Sequence, residues 1–149
     1  MQTFLPYPDF AASAAVLDDK RLGKQRVEAL QVLRAVTRMT YGWKRHPAVR
    51  MWVGYPEGVA SYGMAMVAEW VGRGWADTVA GTIGADLAEA GYPPPRTQAE
   101  LTRVYKLPDW IGDERVHRSH RAALVRKDPE FYGPQFPDVD PELPYFWPV

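Results

Sequence analysis

Cysteine is absent from all 149 residues, which excludes disulfide staples, thiolate zinc ligation and a cysteine nucleophile. Net charge is absent too: eighteen Lys and Arg balance eighteen Asp and Glu, so the chain as a whole has no field with which to draw in a polyanion. No window reaches the roughly 18 apolar residues of a membrane-spanning helix. The start, MQTFLPYPDF, has neither the basic flank nor the apolar run of a signal peptide, so a cytoplasmic protein without a membrane partner is expected. Glycine fingerprints are missing as well. GRGW, GTIG and AGY lack the spacing of dinucleotide or phosphate-binding loops, and there is no GxSxG. Of the three histidines, two sit at i, i+3 in HRSH, with no HExxH and no clustered carboxylates. No metal and no cofactor is expected.

What remains is a chain that is 46% hydrophobic and 13% aromatic, enough to bury one core and too short for two, so residues 1–149 are read as a single domain. The neutral total conceals segregation. Residues 18–50 carry +6, 51–114 carry −5, 115–127 carry +5 and 128–149 carry −5. The two basic segments, KRLGKQR through RHPAVR and RVHRSHRAALVRK, form one positive face if the fold brings them together; otherwise they are solvated helix faces.

The apolar spacing is helical almost throughout, and no strand ladder or repeat is visible. Asp9 caps a short helix over DFAASAAVL, and Asp18 or Asp19 caps a longer one reaching about Arg38. Pro47 opens a turn of helix, and Pro56 opens an amphipathic segment with Val59, Met66, Val67 and Trp70 inward. A further helix ends at Gly91, Thr97 and Glu100 form a capping box, and the last strong helix covers about Asp113 to Lys127. The tail, DPEFYGPQFPDVDPELPYFWPV, has too much proline for long regular structure, but its aromatics predict that it docks on the body. The expected fold is all-α.

Two helices break their own pattern. In the first long one, Leu22, Ala29, Leu30, Val32, Leu33 and Val36 share an arc, yet Arg26 falls between Leu33 and Leu30, and Gln25 between Val32 and Val36. In the late one, Val116, Ala123 and Leu124 define the arc, with His120 and Lys127 inside it and His117 at its edge. A buried guanidinium or imidazole needs partners. The two anomalies together predict a shared polar pocket of Gln25, Arg26, His117, His120 and Lys127 with Glu28 at its rim; a network that only fixes helix register is the competing reading. His46, before Pro47, is a candidate anion site with Arg50 one turn on, or an ordinary cap. Trp43, Trp52, Trp70 and Trp75 are core, unless one or two at a rim stack on a base or sugar.

The runs LGKQRVEALQVLR, YGWKRHPAVRMW, the long helix ending in GRGW, and HRSHRAALVRKDPEFYGPQFP together resemble the pyrimidine dimer DNA glycosylase (endonuclease V) family, across roughly residues 3 to 137. The resemblance implies a helical fold of that type and an N-terminal amine that attacks sugar C1′ to give a Schiff base, assisted by a glutamate and nearby arginines. Glu28 matches that glutamate and Arg26 the adjacent arginine, although the spacing here is R-x-E rather than R-E. Gln2 is too large for ordinary methionine removal, so Met1 is expected to supply the amine, α-amines being partly neutral at physiological pH. Lys24 is the substitute if burial favours its neutral form. By this reading Arg26, His46 and Arg50 hold phosphate, Gln25, His117, His120 and Lys127 meet the substrate, and damaged duplex DNA is the partner, with no obligate protein partner. A non-catalytic nucleic-acid-binding module and a glycosidic-bond enzyme for a nucleoside or other small molecule remain as alternatives.

Overall fold

A computed structural model describes all 149 residues. It contains eight helices and no strand: α1 (Phe10–Val16), α2 (Asp19–Thr37), α3 (Pro47–Arg50), α4 (Pro56–Gly72), α5 (Val79–Glu89), α6 (Gln98–Arg103), α7 (Glu114–Lys127) and α8 (Pro129–Tyr132). Their starts are set by local chemistry. The carboxylates of Asp9, Asp18 and Asp113 accept from the amides of Ala12, Arg21 and Arg115, and Thr97 with Glu100 closes a reciprocal box at α6.

The antiparallel pair α2 and α4 forms the centre, with α5 packed against both and α1 against α4. Close approach needs a missing side chain. A Cβ on Gly63 of α4 would lie 3.0 Å from Ala29 Cβ and 2.8 Å from Ile83 Cδ1, so glycine lets the three helices meet. Trp52, Tyr62, Leu22, Leu33, Met66 and Ile83 are fully buried around this junction.

The amphipathic helix α7 does not lean directly on α2. Between it and the body runs the extended N-terminal segment, residues 1–5, whose Leu5 is wholly buried. The tail closes over the outer side of α7: Arg126 donates to the carbonyls of Pro141 and Leu143 at 2.7 and 2.6 Å, and the Arg115 guanidinium sits 4.4 Å above the Phe146 ring. No helix is long and apolar enough to cross a membrane.

Candidate active site

An extended segment buried between helices has no ladder to satisfy its amides, and here side chains supply every acceptor. The Gln2 amide donates to Glu28 Oε2 at 3.3 Å, the Thr3 amide to Gln2 Oε1 at 2.9 Å, the Phe4 amide to Gln25 Oε1 at 2.8 Å and the Leu5 amide to His120 Nδ1 at 2.9 Å. Three of the carbonyls, those of Gln2, Phe4 and Leu5, are met in the same way. Gln25 Nε2 donates to the Gln2 carbonyl at 3.0 Å, and His117 Nδ1 donates to the Leu5 carbonyl at 2.8 Å. The Tyr62 hydroxyl shares its one proton between the Phe4 carbonyl at 2.8 Å and Gln25 Oε1 at 2.5 Å. The polar residues inside the two apolar stripes are thus the clamp on the N-terminal segment.

The clamp delivers Met1 to a cleft of about 340 Å³, formed by the first turns of α2, the end of α7 and the tail, with Gln25, Glu28, Lys24, Lys127 and Tyr145 in its walls. Glu28 is only 7% exposed, and its carboxylate also accepts from Gln25 Nε2 at 2.8 Å. Trans-peptide geometry keeps the Met1 nitrogen within about 3.7 Å of the Gln2 nitrogen, which itself donates to Glu28, so amine and carboxylate open on one cleft without forming a direct ion pair. His46 looks on from α3. Burial first and the positive chain terminus second hold its imidazole below the ordinary histidine range, against the opposing pull of Glu28.

Around this single carboxylate the mouth is cationic. Lys20, Arg21, Lys24 and Lys127 all line the cleft, which joins the basic start of α2 to the basic end of α7. The acidic middle of the chain neutralises other cations elsewhere: Asp86 takes Arg34 at 2.5 Å and Arg38 at 3.6 Å, and Asp77 takes Arg26. A neutral chain therefore presents a positive cleft.

Several expectations need correction. Arg26 does not share a pocket with His120; it turns to the α4 side, pairs with Asp77 and lies 4.3 Å over the Trp70 ring. One residue of helix separates it from Gln25, and the 100° that this represents carries it out of the cleft. His117 and His120 are fully buried rather than facing the cleft, His120 behind Phe4 and Tyr145, and neither can read or protonate a base there. Burial lowers His117, and it takes the His120 imidazole down to about 3, so both act as neutral hydrogen-bonding groups. Lys127 is exposed at the mouth rather than inside the stripe, and Glu28 is buried rather than on the rim. The Lys24 side chain is 70% exposed, 3.6 Å from Glu28, and the burial that its candidacy as nucleophile required is absent. His46 is an N-cap: its Nδ1 accepts from Ala48 at 3.0 Å, and its carbonyl takes the amides of Val49 and Arg50, leaving no amide cluster for an anion. Arg50 is exposed and outside the cleft. Of the tryptophans, Trp52 is core, while Trp43 and Trp75 are 55% and 48% exposed.

A family model described as pyrimidine dimer DNA glycosylase matches residues 1–80, the span that holds the N-terminal segment, Gln25, Glu28 and Tyr62. The chain belongs to the pyrimidine dimer DNA glycosylase family. No curated protein and no solved structure matches it. The parts of this glycosylase-family site that α7 and the tail contribute, His117, His120, Lys127 and Tyr145, lie beyond the matched span. Tyr62 and Tyr145 were not anticipated from the sequence, and Gln2, Lys20 and Arg21 were not assigned to the site. Tyr62 alone left a signal, since a tyrosine on the buried stripe of α4 needs a partner for its hydroxyl.

Proposed function

We propose that this chain is an active DNA glycosylase with an associated lyase step, folded as one domain over residues 1–149, and that Met1 and Glu28 carry the chemistry. The observation that supports this reading most is the clamp: side-chain acceptors on the backbone of residues 2–5 hold the α-amine at a basic cleft beside one buried carboxylate. The damaged nucleotide is turned out of the duplex into the cleft. The Met1 nitrogen adds to C1′ as the bond from C1′ to the base breaks, the electron pair leaving with the base, which gains a proton. Opening of the sugar ring at O4′ then gives an imine between Met1 and C1′. Glu28 stabilises the cationic sugar and takes the C2′ proton, whereupon the 3′ phosphate departs; water later hydrolyses the imine and frees the amine. Lys20, Arg21, Lys24 and Lys127 hold the phosphates on either side.

Borohydride tests this directly, because hydride reduces the imine to a stable secondary amine. Ultraviolet-irradiated or abasic duplex DNA gives a covalent adduct that peptide mapping places on Met1 and that Glu28→Gln abolishes. An adduct on Lys24 would transfer the nucleophile to that residue. DNA retardation that weakens with salt, without adduct or base release, would make the chain a binding module. Neither binding nor adduct would leave the small-molecule reading in its place.

A further inference from the structure

Trp43, on the loop between α2 and α3, is out of place twice. Its φ of 70° lies in the left-handed region that disfavours bulky side chains, and its indole is largely exposed, as is 97% of Met39 nearby. The surroundings keep it there. The His46 amide donates to the Trp43 carbonyl at 2.9 Å, and the indole rests edge-on against the His46 ring at 5.8 Å. The same histidine meets Trp147 edge-on at 5.9 Å, Trp147 meets Tyr145 at 5.1 Å, and Tyr145 lines the cleft beside Met1 and Glu28. Trp43 is thus the outer end of a row of rings that starts in the cleft. The groove beneath it, about 620 Å³, includes Lys44 and Arg45 and no carboxylate, and neither Arg45 nor the exposed Arg50 next along forms an ion pair among the salt bridges of the molecule.

An exposed aromatic ring among free cations with no acid suits a partner that offers flat apolar faces and closely spaced negative charge, which is the chemistry of an unstacked base between phosphates. We propose that Trp43 is a positioning residue for duplex DNA: its indole stacks on a base freed where the helix is distorted at the damaged site, while Arg45 and Arg50 hold the adjoining phosphates. The strand is kept open as the reacting sugar occupies the cleft. This inference rests on the glycosylase reading above.

The test is borohydride trapping on one abasic strand, presented first as a duplex and then single-stranded. Trp43→Gly removes the ring at a φ that glycine adopts freely, so the fold is retained. It is expected to lower duplex trapping about tenfold or more, the equivalent of one lost stacked base, while single-strand trapping, which needs no helix opening, stays within about twofold. Trp43→Phe keeps a stacking face and restores most of the duplex rate. Tyr105→Gly, which removes another exposed positive-φ aromatic from outside the cleft and the groove, leaves both rates alone. Duplex trapping by Trp43→Gly at the parent rate, an equal loss on both substrates, or a matching loss in Tyr105→Gly overturns the proposal. Absence of any adduct with the parent protein is instead a failure of the glycosylase reading. In that case 2-aminopurine placed opposite the abasic site still decides on Trp43: the parent raises its fluorescence by unstacking it and Trp43→Gly does not, and equal signals overturn the proposal.

Discussion

Gln25→Leu asks whether the polar atoms within the stripe of α2 serve the N-terminal segment. Leucine approximates the volume of glutamine and its preference for helix, but it strips the Phe4 amide of an acceptor at 2.8 Å and the Gln2 carbonyl of a donor at 3.0 Å, both buried. Tyr62 keeps the Phe4 carbonyl and stays satisfied. Two buried backbone groups left unpaired cost about 2 kcal/mol each, and the extra apolar burial of leucine returns about 1 kcal/mol, for a net loss of about 3 kcal/mol. In a chain of this length that corresponds to a fall of about 6–12 °C in Tm. Thermal melts read the stability, and hydrogen exchange at the Phe4 and Leu5 amides reads where it is lost. A fall of under about 2 °C with both amides still protected would refute the clamp.

Three further outcomes are expected. Glu28→Gln keeps an oxygen for the Gln2 and Gln25 donors, so stability changes by less than about 1 kcal/mol while adduct formation collapses; parallel melts and trapping on one preparation separate the two effects. His120 binds a proton near 6.5 when unfolded and only near 3 when folded, so the unfolded chain takes up more protons below about pH 6.5 and stability falls as pH drops toward 3, by about 2–3 kcal/mol at pH 4.5. Urea midpoints between pH 7.5 and 4.5 measure this slope, and His120→Gln, which retains an acceptor for Leu5, flattens it. Gly63→Ala drives a methyl into Ala29 and Ile83 and lowers stability by about 1–3 kcal/mol, seen as a shift in denaturant midpoint without loss of the cleft.

Helix starts were legible because a cap is decided within four residues: Asp9, Asp18, Thr97 with Glu100, and Asp113 each act on an amide two or three positions on. The anomaly of Gln25 and His120 was legible for a related reason, since periodicity fixes the angle of a residue around its own helix. What that angle faces is a matter of tertiary structure. Residues 1–5 have no period of their own, so nothing marked them as the third party between α2 and α7. Arg26 was misplaced because its partner Asp77 lies 51 positions away in a segment whose acidity read only as a balance of charge. Glu28 was placed at the rim of the expected pocket by periodicity and given its role by the family resemblance, and its burial became visible only with the N-terminal segment in place.

The clamp also orders events in time. Residues 1–5 are made well before their partners, since Leu5 is gripped by His117 and His120, 112 and 115 positions later. At the usual pace of about 5–20 residues per second, the opening residues wait on the order of 6–25 s for the helix that will hold them. A nascent chain stopped at the end of the span matched by the family model, residue 80, carries both Met1 and Glu28 but lacks this grip on Leu5. These early residues are locked only once the late helix is made, so a half-synthesised copy lacks the completed clamp.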